Sequence, residues 1–442
     1  MSRLADRITH SAGGASGNRL QSLWQALCAS QRAHHPIESS VDCEVAVVGG
    51  GLAGVSLAYH LASLGTNSVL LEAANLGHGA SGKAAGIIAP QLTRHTPASV
   101  KQTLGETVGE RYLRTLAESG DYLFDLIRRL GIECSAEQQG FLAPVRGTSA
   151  ATRLAQTIEQ WQTLRSDLEL LDARRTQLLS GCVGYQASLL DRGGGSVDPL
   201  ALTRGLGELA AAGGAQIFTG SPVVEIVRSG NQWRLRTPQG QVTAQRVVLC
   251  AHVGNTGLDA RLRGTVMPLQ VFQVATRRLD ETVRANILPE RHALTDQESD
   301  VFSIRYADDG RLITAYPAPI ETRLEVVEAA VNSRLKSALP GFPDTPLEFV
   351  WHGTAAMNST LLPRIVQLED GLIAVQACNG RGIALNVMVG RELARWLLAP
   401  SGHEIGIPLD RPRKIPGFWL AKHLPRLVTV AGRWRRRYRE SR

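Results

Sequence analysis

The stretch VAVVGGGLAGVSLAYHLASLGTNSVLLEA, residues 45–73, decides the fold. Val45–Val48 is a continuous apolar run, three glycines follow, then an alanine-rich segment, and VLLEA closes on the acid Glu72. Length and composition predict a buried strand, a helix and a second strand parallel to the first. Gly49, Gly51 and Gly54 fall at the spacing GxGxxG. The first permits a tight turn, the second lets backbone approach a pyrophosphate, and the third lets the helix pack on the strands. The helix N-terminus offers amide donors and partial positive charge to phosphates. Glu72 ends the second strand, where a carboxylate accepts from ribose hydroxyls. The glycines alone are weak evidence; strand, helix and acid in register make a dinucleotide site. NAD and FAD both fit, and the acid argues against NADP.

The rest of the composition narrows the class. A chain of 442 residues holds two or three domains, or one α/β core with a substrate domain inserted in it. No run approaches the roughly 18 apolar residues of a spanning helix. Residues 1–42 carry Arg3, Arg7 and Arg19 without an apolar core and cleavage site, so a cytoplasmic protein is expected. The six cysteines are scattered without a CxxC, which suits neither a disulfide framework nor a metal site. Of the net charge of +8, the stretch from Arg411 to Arg442 supplies +10, eleven Lys and Arg against Glu440, leaving the body at −2. A near-neutral body speaks against a nucleic-acid partner. The basic arm, RPRKIPGFWLAKHLPRLVTVAGRWRRRYRESR, is expected to pack on the body, with peripheral contact to an anionic membrane as the alternative.

Along the chain, helical spacing predicts a short leader helix in NRLQSLWQALCAS, a helix over 104–131 interrupted near Gly120, and helices at 149–168, 199–212, 321–338 and 383–398. Strands are expected in VVEIVRS, QWRLRTP and QVTAQRVVLCA, at 265–277, in the hairpin VFSIRYADDGRLITAY turning at Asp309-Gly310, and at 363–368 and 371–377. Early alternation of strands and helices, followed by a block of strands, suggests a nucleotide domain carrying an inserted sheet.

Two further glycine turns stand out. GHGASGKAAGIIAPQ begins shortly after Glu72 and concentrates small residues that let backbone approach a flat ligand, with Ser81 as a hydroxyl donor. CNGRGIALNVMVGRELARWLL brackets Arg381 between Gly380 and Gly382 just before a helix, a place for an anionic or electron-rich group.

In wording and order, these three segments resemble the D-amino acid oxidase type of FAD-dependent oxidoreductase, and within it the amine-oxidising branch of gamma-glutamylputrescine oxidoreductases. The likeness runs from the leader's SLW to the basic end. It implies an α/β protein with a Rossmann-like FAD-binding domain of the glutathione-reductase type, interrupted by a substrate domain with a large antiparallel or mixed sheet. The implied segments are a leader at 1–42, FAD-binding parts at 43–110, 195–264 and 351–400, substrate parts at 111–194 and 265–350, and the arm at 401–442. The resemblance assigns the ADP part of FAD to Gly49, Gly51, Leu52, Ala53, Gly54 and Glu72, and the adenine to Val223. It places the pyrophosphate and flavin ring along Ala80, Ser81, Gly82, Lys83, Ala85 and Gly86, and the pyrimidine edge at Gly380, Arg381, Gly382 and Ile383.

The chemistry so implied is hydride transfer from the carbon of an amine or amino acid to flavin, giving an imine that water hydrolyses, with oxygen or a quinone as acceptor. Arg381 is expected to stabilise negative charge on the reduced ring. Arg305, five residues before Gly310, and His352, within WHG, are the candidate substrate-side residues. Where relatives with histidine-linked flavin place that histidine, this chain has Lys83, so FAD is expected to be non-covalent. ITAYP stands where many relatives carry Gly-Gly, which points to an altered pocket. An assembly protein of the same fold and a tRNA-modifying oxidoreductase are the alternatives.

Overall fold

The strand Ser40–Val48 lies inside a nine-stranded sheet, paired in parallel with Gln241–Leu249 on one side and Ser68–Leu71 on the other. The structure is a computed structural model that describes residues 21–28, 34–90, 92, 94–298, 300–316, 323–399 and 402–421. Beyond Ser68–Leu71 the sheet adds Gln216–Phe218; beyond Gln241–Leu249 it adds Leu372–Gln376, Arg364–Glu369 and Leu409–Asp410. Glu225–Ser229 and Gln232–Arg236 form an antiparallel extension on Gln241–Leu249. The helices Leu52–Ser63 and Ile383–Leu398 cover one face together. Ser56 Oγ donates to the Val387 carbonyl at 2.7 Å, and a Cβ on Gly390 would overlap Ser56 and the Leu57 amide, so the helices cross at backbone contact.

A second sheet of eight strands has the order Leu347–Asn358, Val266–Arg278, Arg311–Tyr316, Ser303–Tyr306, Ala293–Thr295, Phe141–Val145, Ala187–Asp191, Leu168–Asp172. Only the pairing of Ala293–Thr295 with Phe141–Val145 is parallel. Strand alternation gives this sheet two unlike faces. On the outer face, Leu142, Leu294, Ile304, Tyr306, Leu312 and Val274 pack with Val327, Val331 and Leu335 of the helix Leu324–Ala338. Each such aliphatic burial contributes about 1.5–3 kcal/mol. On the inner face, Phe141, Ala143 and Ala293 join the core of the nucleotide domain, while Ile313, Ala275 and Trp351 meet Leu23, Trp24 and Leu200.

Several expectations change in the structure. The helix Glu106–Leu130 passes Gly120 without a break. Gly120 is there for space: a Cβ would run into the Gly193 carbonyl and lie 2.8 Å from Pro90 Cγ. The helix expected at 149–168 ends at Gln162, and Leu168–Asp172 is an edge strand. The strand Leu347–Asn358 belongs wholly to the eight-stranded sheet and crosses the expected boundary at 350, so the return to the nucleotide sheet follows Asn358. At the arm, the Ile415 amide donates to the Gly264 carbonyl and the Phe418 ring lies 3.4 Å from where a Gly264 Cβ would stand. The arm from residue 422 onward lies outside the described residues, and with it the alternative of membrane contact. Among the described residues no helix is long and apolar enough to cross a membrane, no group of side chains suits a metal, and all six cysteines are free.

Candidate active site

Three neighbouring parallel strands, Ser40–Val48, Gln241–Leu249 and Leu372–Gln376, end at the same edge of the nine-stranded sheet. From that edge emerge the turns Gly49–Gly54, Cys250–Gly254 and Ala377–Gly382, separated in sequence by as much as 330 residues. Ligands of open α/β sheets bind outside the carboxyl ends of the strands, where such turns gather.

The first turn is built by exclusion of side chains. Gly49 has φ of +113°, and a Cβ there would stand 2.8 Å from the Ala251 amide nitrogen. A Cβ on Gly54 would overlap the Gly49 carbonyl, so only glycine lets the helix come this close. Gly51 begins the helix and has no side chain to cap it; Ser81 Oγ, from the second turn, accepts from the Leu52 amide at 2.9 Å. Glu72 accepts from the Gly50 amide at 2.6 Å and the Ala74 amide at 2.8 Å, so its carboxylate braces the turn. The Ser221 amide donates to the Glu72 carbonyl at 2.8 Å. Val223 follows two residues after Ser221, half-buried against the core under the sheet.

The small-residue segment is pinned from both sides. Gly77 donates to the Gly50 carbonyl, Gly82 to Gly77 and Lys83 to Ala80, which winds 80–83 into a tight turn. Two indoles then hold consecutive carbonyls. Trp351 Nε1 donates to the Lys83 carbonyl at 3.1 Å and Trp24 Nε1 to the Ala84 carbonyl at 2.8 Å. Ala85 and Gly86 follow. Gly86 has φ of +79°, and a Cβ there would overlap the Val197 carbonyl and lie 3.1 Å from the Arg305 guanidinium.

The third turn is fixed by the end of Leu347–Asn358. The Asn379 amide donates to the Ala356 carbonyl at 3.1 Å, and Asn379 Oδ1 accepts from the Asn358 amide at 2.9 Å. These bonds hold Asn379 at φ of +40° and aim Gly380–Gly382 toward the sheet edge. Gly382 has no side chain to cap the helix Ile383–Leu398, so the first-turn amides are offered outward. Asn379 Nδ2 is buried without a hydrogen-bond partner. Reading the sequence missed His252, which joins the two sheets here. Its Nε2 accepts from the Ala356 amide at 3.0 Å, which puts the ring proton of the neutral form on Nδ1. Burial lowers its pKa to about 4, so it is neutral at pH 7. Its one sequence signal is the strand end CAH at the edge shared with Gly49.

The candidate substrate-side residues separate. Arg305 is 3% exposed on the inner face, its guanidinium carbon 4.9 Å from the centre of the Trp24 ring. Its Nε is buried without a partner, and no other described residue makes a hydrogen bond or close ion pair with it. Burial pushes its pKa down to about 10 against the pull of Asp198 and Glu137, and it stays charged. Arg381 reaches from the glycine turn to the inner face, 5.5 Å from the centre of the Phe141 ring. Burial also brings it down to about 10, opposed by Asp191. Ala293 pairs with Phe141, and continuing the Leu294–Ile304 pairing by one residue sets Arg305 next in that row. Arg381 thus meets the row to which Arg305 belongs at Phe141, two strands and about 10 Å along it by strand spacing. His352 is elsewhere. It pairs with Phe272, rings 5.4 Å apart, and alternation places it with Val274 and Val350 on the outer face, opposite Arg305 and Trp351. Burial, then the nearby Lys83, lowers its pKa. Tyr306 is likewise on the outer face.

These residues fit FAD. Two helix starts whose N-cap is a glycine suit a pyrophosphate and a carbonyl edge, the missing Cβ atoms leave room for backbone contact, and the orphaned Asn379 Nδ2 is a ready donor. A parallel sheet with glycine turns at its carboxyl edge, roofed by a second sheet bearing the buried Arg305, defines a two-domain flavoprotein. The chain belongs to the FAD dependent oxidoreductase family, which matches residues 44–396, and it is an oxidoreductase with FAD as cofactor. It is 27% identical over 365 residues to gamma-glutamylputrescine oxidoreductase of Escherichia coli, covering 82% of this chain and 85% of that protein. It is 28% identical over 306 residues to the mitochondrial dimethylglycine dehydrogenase of Homo sapiens, covering 68% of this chain and 33% of that protein. Among solved structures, glycine oxidase from Bacillus cereus superposes with a TM-score of 0.65 at 22% identity, over 82% of this chain and 96% of that one.

Proposed function

We propose that this enzyme oxidises the carbon–nitrogen bond of an amine or amino acid that also carries a carboxylate, giving an imine that water hydrolyses. The observation that carries this reading is Arg305, a buried cation beside Gly86 with no hydrogen-bond partner among the described residues. A buried charge is costly unless something pairs with it, and a planar guanidinium pairs best with a carboxylate. The relatives named for glycine, dimethylglycine and gamma-glutamylputrescine support this, since each of those molecules bears both groups. FAD, when bound, accepts the hydride from the carbon next to nitrogen. Gly49–Gly54, Glu72, Ala80–Gly86, Val223 and Gly380–Ile383 would hold it. Arg305 orients the substrate by its acid end. Arg381 adds positive charge at the inner face, which favours an electron-rich ring. The apolar surroundings, Phe141 and the indoles among them, disfavour an ammonium and so favour the neutral amine that can lose hydride. The reaction is placed in the cytoplasm, with oxygen or a quinone as acceptor.

The test is anaerobic mixing of the FAD-loaded protein with amino acids, N-methylated amino acids, gamma-glutamylated diamines and simple alkylamines. Bleaching of the flavin band by a carboxylate-bearing amine is expected. Equal or better bleaching by simple alkylamines, or none by any amine, would overturn the reading. Reoxidation of the bleached enzyme by air against a soluble quinone identifies the acceptor.

A further inference from the structure

We infer that Trp24, from the segment ahead of the nucleotide domain, is a positioning residue of the substrate site: its indole holds Arg305 in place for the substrate's carboxylate. This rests on the reading of Arg305 given above. The segment is folded for the purpose. Ser22 and Gln25 form a reciprocal capping box that starts the short helix Leu23–Leu27, and the helix buries Leu23 and Trp24. Trp24 is 1% exposed and meets Trp351 edge to face, centroids 6.2 Å apart. It makes two contacts in different directions. Its Nε1 donates to the Ala84 carbonyl, which fixes the segment two residues before Gly86. Its ring face carries the Arg305 guanidinium, the preferred aromatic partner for a cation withdrawn from water.

Gly86 shuts the other side, because its missing Cβ leaves the space against which the guanidinium rests. Arg305 is thus held by a ring and a backbone surface, neither of which uses its hydrogen-bond donors. Those donors stay available to a ligand, and the positive charge is supported without being neutralised. A carboxylate partner would have done the opposite. Trp351 serves as the internal control: it donates to the adjacent carbonyl of Lys83 and packs on Trp24, but the cation rests on Trp24.

The test titrates the full-length holoenzyme with sodium butanoate, which cannot be turned over as an amine, and follows the visible flavin band. A saturable change is expected in the wild type. Trp24→Leu is expected to need about tenfold or more butanoate, as loss of a desolvated cation–π contact implies. In the double variant with Arg305→Met the two losses are expected not to add, because they remove one interaction. Trp351→Phe, which keeps a ring against Trp24 and gives up the bond to the Lys83 carbonyl, is expected to lose clearly less than Trp24→Leu. Wild-type titration by Trp24→Leu, an equal loss in Trp351→Phe, additive losses in the double variant, or no butanoate response in the wild type would each overturn the inference. Should Trp24→Leu not retain flavin, Trp24→Phe decides: its poorer π face is expected to raise the half-saturation by about threefold, and a value equal to that of Trp351→Phe overturns the inference. Amine reduction is read separately. A protein that binds butanoate through Arg305 but is reduced by no amine ends the oxidase reading and keeps the role of Trp24.

Discussion

Arg165 and Arg305 are both buried against the eight-stranded sheet, and they solve the same electrostatic problem in opposite ways. Arg165 sits between two carboxylates. It donates to Asp167 Oδ1 at 2.9 Å and Asp191 Oδ2 at 3.0 Å, and its Nη2 bonds to both acids again. Burial alone would lower its pKa, but Asp191 and Asp167 more than reverse that. Arg305 bonds to no carboxylate among the described residues, and burial outweighs the more distant Asp198 and Glu137 and keeps its pKa depressed. The first arrangement closes a fold, since Asp191 is fully buried and also accepts from the Gly193 amide at 3.0 Å. The second leaves a cation available. His252, at the sheet junction, takes a third way and gives up its proton.

The comparison breaks first at Arg165. Arg165→Met would take from the buried Asp191 its guanidinium partner, and loss of one partner from a buried pair costs about 3–5 kcal/mol. A large fall in the thermal midpoint is expected. If the midpoint holds, the cluster is not the anchor described here. Arg305→Met should behave in reverse. It removes an unpaired buried charge, so the midpoint is expected to hold or rise, while kcat/KM for a carboxylate-bearing amine falls. Loss of hydrogen bonds to a charged group, about 1.5–3 kcal/mol, corresponds to roughly ten- to hundredfold. Steady-state kinetics beside a melting curve read both effects. A variant that loses stability and keeps its activity would make Arg305 a second Arg165.

Arg305 was named in the sequence through the family resemblance alone, and the packing of neither arginine was legible there. Arg165 and Arg305 are single cations in mixed stretches, and their partners lie 26 residues away at Asp191 and 281 residues away at Trp24. Only the packed sheet brings these together. The glycine turns were legible because each packs its requirement into a few adjacent residues, as at Gly49–Gly54, where sterics admit nothing else. The strand Phe141–Val145 went unseen because FLAPV is buried on both faces and contains Pro144, so it shows no alternation. Leu347–Asn358 escaped for a related reason: its outer face carries His352 and its inner face Trp351 and Gly353, which blurs the period. His352 looked like a site residue beside Trp351 and Gly353, but one step along a strand is a change of face.

A smaller effect separates His252 from the arginines. Its pKa in the fold is about 4 against an ordinary 6.5, so between those values the unfolded chain binds more protons. Its contribution to stability is whole above pH 6.5 and is lost as pH falls toward 4. His60, also lowered to about 4 by burial, titrates in the same window. His252→Gln keeps an acceptor for the Ala356 amide and removes one such titration. Melting curves between pH 4.5 and 7.5 should show a shallower acid decline than the wild type. An unchanged slope would mean that His252 does not couple the sheets through a neutral ring.

The smallest expected effect is at Asp167, and it sharpens what pairing means in the Arg165 cluster. Its side chain is 32% exposed where that of Asp191 is 0%, so water already screens its charge. Burial works to raise its pKa, and the hydrogen bond and charge of Arg165 outweigh that and hold it below the ordinary 3.8. Its contribution is therefore present above that value and lost only in stronger acid. Asp167→Asn keeps an oxygen that accepts from Arg165 Nε and leaves Asp191 to neutralise the guanidinium. Partly exposed pairs are worth about 0.2–1 kcal/mol, so at pH 7 the midpoint should fall only slightly, far less than in Arg165→Met. A loss as large as that of Arg165→Met would show that one carboxylate cannot settle this cation, and that Arg305, with none, is held by more than a ring and a glycine.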